Sequence, residues 1–233
     1  MVVLPDRFPM LEVKTLSKHF GGVRAVDGLD LRVERGEIFG LIGPNGSGKS
    51  TLVNIICGVL QPTSGDILFE GRSLDGRAPS ARLRTGIART FQNIRLFGGL
   101  TVWQNLWVAG NSTEDIKSQS IVSRWIGTST RLKKEIEVML EFSDLADKAD
   151  VLASNLAFGE QRRLELARAI AAKPRLLLLD EPAAGMNQAE VGELEKRLRS
   201  LRKQGMTIVL VEHVMQLVMG VTDRIAVLNF GSK

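Results

Sequence analysis

The stretch GPNGSGKS at Gly43–Ser50 decides the fold. It fits G-x-x-x-x-G-K-[ST], and its surroundings fit too: the wholly apolar run IFGLI (38–42) precedes it and TLVNIIC (51–57) follows. A buried strand, a glycine-rich turn and an apolar helix in that order make a phosphate-binding loop. Glycines let the chain fold back so that successive N–H groups point inward, and the positive end of the helix adds to them. Lys49 supplies a cation for the β- and γ-phosphates, and Ser50 a hydroxyl for Mg²⁺. A functionless glycine turn is the competing reading, and motif and context together leave it little room.

On either side, hydrophobic periodicity sketches an α/β core. LDLRV (29–33) alternates apolar and polar residues, as does the stretch around Asp66–Glu70, with Ile67 and Phe69 on one face. These read as half-buried, antiparallel strands of an accessory β layer. LLLL (176–179), TIVLV (207–211) and RIAVLNF (224–230) are apolar runs of the kind covered on both faces in a parallel sheet. Helical patterns separate them. Arg162–Ala172 is one, ended by Pro174, and Asn187–Gln204 is another, with Asn187 as cap, Glu190 three residues on and Gly205 past its end. Strand–helix–strand alternation predicts an α/β fold with a mostly parallel sheet. Thr101–Asn155 shows no strand run and holds RLKKEIEVMLEF, so it reads as a helical subdomain (101–155) inserted between core segments 1–100 and 156–233 of one domain.

LLLLDE complements the phosphate loop. Asp180 emerges at the end of a central strand, where an acid can hold Mg²⁺, and Glu181 can take a proton from an attacking water. Alone such a run is weak; paired with the loop it is strong. His213 follows TIVLV at a strand end that should lie beside Asp180, placing it to meet a γ-phosphate. His19 has no such setting and is assigned to surface or packing.

Bulk numbers set limits. With 44% apolar and 24% charged residues the 233-residue chain is an ordinary globular one. The net charge of +5 is spread without a basic block, which argues against a nucleic-acid groove. The single cysteine, Cys57, excludes an internal disulfide and reads as a small buried hydrophobe. MVVLPDRFPM does not read as a signal peptide, and no window approaches 18 apolar residues, so membrane passage would need another chain.

These residues resemble the ABC ATPase family. GPNGSGKST is similar to its Walker A motif, LLLLDEP to Walker B, Gln92 in RTFQN to the Q-loop and VEH (211–213) to the switch histidine. LAFGEQRRLELARAI, from Leu156, resembles the ABC signature, which a generic P-loop ATPase lacks. The resemblance covers nearly the whole chain. It implies a head-to-tail dimer, homomeric or heteromeric, with ATP held between one chain's Gly43, Pro44, Asn45, Gly46, Ser47, Gly48, Lys49, Ser50 and Thr51 and the other's Ala157, Phe158, Gly159 and Glu160. Gly159 and a helix start at Arg162 would present N–H groups to the γ-phosphate. It further implies Mg²⁺ on Ser50, Gln92 and Asp180, catalysis by Glu181 and His213, and adenine stacked on Phe20, where the family commonly has Tyr.

Two departures narrow the resemblance. Ala157 replaces the signature serine, and Asn187 stands where the D-loop usually ends in Asp. With LDEPAAGMN and the opening LEVKTLSKHFGGVRAVDGLDLRV, they look like the ATP-binding subunits of branched-chain amino acid importers. That subgroup implies a paralogous ATPase partner, two transmembrane permease chains, an external substrate-binding protein, and a place on the cytoplasmic face of the inner membrane. It also implies a short tail and helix beyond Lys233. A lipid or lipopolysaccharide exporter subunit is the main competitor, though that family usually keeps the signature serine. Non-transport ABC ATPases would add a long coiled coil or a second ATPase unit. Trp103, Trp107 and Trp125 read as subdomain core, or, for Trp103 or Trp107, as the lining of a groove for a permease helix.

Overall fold

A computed structural model describes residues 8–111 and 130–233. Strands β1 (Leu11–Phe20) and β2 (Val23–Val33) form a hairpin turned by Gly21–Gly22. Along β2, Leu29, Leu31 and Val33 are buried while Asp30 and Arg32 are exposed, the period-two pattern expected of a half-buried strand. A turn through Gly36 leads into β3 (Ile38–Ile42), and helix α1 (Lys49–Ile56) follows. Strands β4 (Ser64–Phe69) and β5 (Arg72–Ser73), helix α2 (Pro79–Arg84) and strand β6 (Ile87–Arg89) complete the first half. The antiparallel sheet has the order β2-β1-β4-β5.

Contacts divide the chain into two compact units: the described residues up to Arg89 with Arg175–Lys233, and Thr90–Pro174. The second unit carries α3 (Val102–Gly110), α4 (Thr130–Phe142) and α5 (Phe158–Ala171) around a core of Val102, Leu106, Trp107, Ile136, Leu140, Leu145, Leu164 and Ala167. Among its described residues there is no strand, only a bridge between Thr101 and Leu152. The unit is wider at both ends than the 101–155 drawn from the sequence. Helix α5 packs with α3 and α4, and this takes Leu156–Ala171 into the helical unit. Trp107 belongs to that unit's core and Trp103 packs against it half-buried, whereas Trp125 lies outside the described residues.

The first unit resumes with β7 (Leu176–Asp180), α6 (Gln188–Lys203), β8 (Thr207–Val211), α7 (Met215–Val221) and β9 (Arg224–Val227). Its parallel sheet runs β6-β7-β8-β3-β9. Leu176 to Leu179 are each 0% exposed, as an all-apolar strand with neighbours on both sides requires. Truncating one of these leucines to alanine would cost about 2–5 kcal/mol. One core joins the two sheets and α1, and it includes Leu11, Val13 and Leu16 of β1, Leu52 and Ile55 of α1, Leu176 of β7 and Val209 of β8.

Two sequence readings need correction. RIAVLNF is not a buried run: β9 stops at Val227, and Ile225, Val227 and Phe230 are exposed because β9 is an edge strand paired with β3 alone. The signature helix begins at Phe158, not Arg162. Asn187 caps α6 as read, its side chain accepting from Glu190 N–H while Glu190 reaches back. Cys57 is buried at the end of α1, and that burial pushes its thiol up to about 11.

Candidate nucleotide site

Gly43–Gly48 links β3 to α1, and its shape depends on three glycines at positive φ: Gly43, Gly46 and Gly48. A Cβ on Gly43 would stand 2.2 Å from Leu228 O, and one on Gly48 2.2 Å from Ala25 O. No side chain fits there. Outer segments buttress the loop: Leu228 N–H donates to Ile42 O (2.8 Å) and Gly231 N–H to Ser47 O (3.0 Å). Sequence reasoning missed this support, since nothing in VLNFG marks it as a brace. Lys49 is buried, its ammonium donating to Gly43 O (2.7 Å) and Pro44 O (2.9 Å). The cation therefore lies along the loop that would cradle phosphate. Pro44, Asn45, Gly46 and Ser50 are exposed and Thr51 is half-buried. Phe20 ends β1, 47% exposed, with Lys18 Nζ 5.1 Å from its ring centre.

Strands β7 and β8 pair in parallel with Asp180 opposite Val211, so β8 does lie beside the strand that carries Asp180. Asp180 is 5% exposed; burial raises its carboxyl above the usual aspartate range, opposed by Arg89, whose guanidinium lies 3.2 Å away. Arg89 also donates to Asn54 on α1 (2.7 Å), tying the acid's neighbourhood to the phosphate-loop helix. Glu181 has φ 51°, a left-handed backbone conformation that is costly for a non-glycine residue. Its N–H is held by Val211 O at 2.9 Å. Strain kept in place by a ladder bond is what a functional acid beside a phosphate loop tends to show. His213 is exposed and stands next to a fully buried glutamate, Glu212. The hydroxyl of Ser50 and the carboxylate of Asp180 are hard oxygen donors of the kind Mg²⁺ takes. His19 sits 3.5 Å from Asp27, away from these residues in role.

The remaining predicted residues belong to the helical unit. Gln92 is exposed, and its backbone carbonyl accepts from Arg162 at 2.7 Å. The same guanidinium reaches Phe91 O (3.1 Å) and Glu165 (3.4 Å), and Glu165 accepts from Arg95 N–H (3.2 Å). A buried ion pair on α5 thus holds the backbone around Gln92. Burial pushes the Glu165 carboxyl up, against the lowering influence of Arg95 and Arg162. Glu165 at helical spacing from Arg162 was visible in the sequence, but nothing there said that the pair faces inward. Ala157 caps α5 without a polar side chain, Phe158 is exposed under Arg162, and Gly159 and Glu160 fill the first turn.

A glycine-locked loop of phosphate-binding pattern after β3, with acids at the end of β7, one strand removed in the same parallel sheet, defines a nucleotide-hydrolysing cassette. Residues 26–184 match the family described as ABC transporter, and the chain belongs to that family. It is an ABC ATPase. The high-affinity branched-chain amino acid transport ATP-binding protein BraF of Pseudomonas aeruginosa is 40% identical over 96% of this chain and 89% of its own length. The corresponding LivG protein of Escherichia coli is 42% identical over the same shares. A nucleotide-free ATP-binding cassette from an ABC transporter superposes with TM-score 0.82 and 30% identity, over 96% of this chain and 88% of that one. Among the described residues, no helix is long and apolar enough to cross a membrane.

Proposed function

We propose that this chain powers a membrane importer for branched-chain amino acids, binding and hydrolysing ATP on the cytoplasmic face of the inner membrane. Two permease chains cross the bilayer, a second ABC ATPase, in cells a paralogue, completes the nucleotide sandwich, and an external binding protein delivers the substrate. No nucleic acid takes part. The observation that carries this reading is the phosphate loop, with Asp180 and Glu181 at the end of a buried strand, in a chain 40–42% identical over nearly its whole length to ATP-binding proteins of branched-chain amino acid transport.

In this reading the N–H groups of the loop Gly43–Gly48 and the positive end of α1 bind the phosphates, and Lys49 moves from the loop's own carbonyls to the β- and γ-oxygens. Ser50 and Asp180 hold Mg²⁺, which when bound neutralises charge building on the phosphates. Glu181 accepts the proton of the attacking water, and His213 contacts the γ-phosphate. Phe20 offers its ring to adenine. Ala157, Phe158, Gly159 and Glu160 of one cassette face the nucleotide of the other. A γ-phosphate bound better by the closed dimer than by the open one biases the equilibrium towards closure, and its loss reverses that bias.

The test is purification of the chain from its native membrane in mild detergent and identification of whatever accompanies it. Two multi-spanning proteins and a second, similar ATPase support the reading, and amino acid-stimulated turnover is the next assay. DNA, ribosomes or no membrane protein would overturn the transport function and leave the ATPase standing.

A further inference from the structure

The carboxylate of Glu212 has no role in the site described so far. It follows β8 directly, precedes His213, and its side chain is fully enclosed, at 0% exposure. An ionised carboxylate so buried needs donors, and the backbone supplies three. Oε2 accepts the N–H of Ala183 at 3.0 Å. Oε1 accepts the N–H of His213 at 2.9 Å and of Val214 at 3.2 Å. The imidazole Nδ1 of His213 lies 3.4 Å from the same oxygen.

The position of these donors matters. The β7–β8 ladder ends at Asp180 and Val211. Beyond it, the loop with Glu181 and the loop with His213 would part if only the strands held them. Glu181 N–H still reaches Val211 O, and the next tie is Glu212. One oxygen grips the chain two residues after Glu181, and the other grips His213 and its successor. We propose that Glu212 is a positioning residue for hydrolysis: it fixes the loop of the general base and the loop of the switch histidine to one another through a single buried carboxylate. It also keeps Nδ1 of His213 turned to the protein, leaving Nε2 as the nitrogen that faces outward. The proposal rests on the assignment of Glu181 and His213 above.

A glutamine at this position keeps the shape but offers one accepting oxygen. It can satisfy Ala183 or the His213–Val214 pair, and its NH₂ then confronts a donor on the other side. The experiment measures ATP affinity and kcat in the assembled transporter for Glu212→Gln, His213→Ala, the double variant and Glu181→Gln. The structure predicts for Glu212→Gln a kcat lower by about tenfold or more, with ATP affinity within about twofold of the parent, as for a lost hydrogen bond to a charged group that acts on chemistry alone. The loss in the double variant is smaller than the product of the two single losses, because the part of the Glu212 effect that runs through His213 is already gone. Unchanged kcat in Glu212→Gln, or losses that multiply in the double variant, would overturn the proposal. If Glu212→Gln does not fold, Glu212→Asp, which keeps the charge but shortens the reach, is read on the same terms. Glu181→Gln separates the two levels: if it alone is inactive, only Glu212 is misassigned, and if it too turns over normally, the hydrolytic site itself is.

Discussion

The proposed nucleotide site draws on two helix starts, and they are built in opposite ways. At the start of α1 the backbone is forced: Gly43 and Gly48 have no room for a Cβ, the segment after β9 braces the turn, the first helical turn carries no acid, and the buried Lys49 supplies a cation from within. At the start of α5 little is forced. Ala157 cannot cap with its side chain, Ala157 and Phe158 are exposed, and the first turn holds an acid, Glu160, paired with Lys148 at 2.5 Å. Helix dipoles favour anions at both starts. The first has the cation and the enclosure to bind a polyphosphate alone; the second has its N–H groups but a neutralised carboxylate in place of a free cation. The difference suits a nucleotide gripped by one chain and only closed upon by another.

Gly48→Ala strikes the forced start and carries the largest effect. Its Cβ would collide with Ala25 O at a φ of 103°, so a loss on the order of 3 kcal/mol of stability and of measurable nucleotide binding is expected, read by thermal unfolding and ATP titration. Lys49→Ala keeps the loop's shape and removes its charge. ATP affinity should fall by roughly 10–100-fold in a direct titration, the cost of lost charged hydrogen bonds, with the unfolding temperature little changed. A tight-binding Lys49→Ala would break the comparison, because it would give the first start no more than the second has.

Ala157→Ser sharpens the contrast from the other side. A serine can accept the Glu160 N–H and complete the capping box whose other half, Ala157 N–H to Glu160 at 3.0 Å, already exists. A gain of about 1 kcal/mol in unfolding free energy is expected, and no gain would mean that the start of α5 is not limited by its cap. The smallest effect concerns pH. The hydrogen bond from Lys148, helped by Ala157 N–H and opposed by burial, holds the Glu160 carboxyl below its ordinary 4.5. A depressed folded value means that its stabilisation is fully present above pH 4.5 and fades as pH falls through the lower folded value. The stability difference between the parent and Glu160→Gln should therefore be flat near neutrality, within about 1 kcal/mol, and shrink in acid. A difference that grew in acid would reverse the sign of the Lys148 interaction.

The same contrast explains how far the sequence could be read. The forced start was legible because glycine, lysine and a flanking apolar strand each leave a local mark. So were β7 and β8, each built on an unbroken apolar run, Leu176–Leu179 and Ile208–Val211, and the capped start of α6 at Asn187. The start of α5 lies four residues before the Arg162 that the apolar pattern suggests, because Ala157 and Gly159 carry no capping side chain and the one local mark, Glu160 accepting from Ala157 N–H, is half a capping box. Arg89, Arg162, Glu165 and Glu212 were illegible for a shared reason. Each acts through a partner distant in sequence, at 91 residues for Arg89 and Asp180 and 29 for Ala183 and Glu212, and no periodicity encodes such pairs. β9 was misjudged because apolar composition does not tell an edge strand from a central one.

The central claim is that this chain's own half of the site suffices to bind ATP but not to turn it over. The direct measurement is ATP turnover per chain and ATP affinity across a range of cassette concentration, with and without a second ABC ATPase subunit added. The account predicts measurable ATP affinity at the lowest concentration, and an affinity and a turnover per chain that both rise as cassettes meet. Turnover per chain that is the same at every concentration, with or without the second subunit, would contradict it.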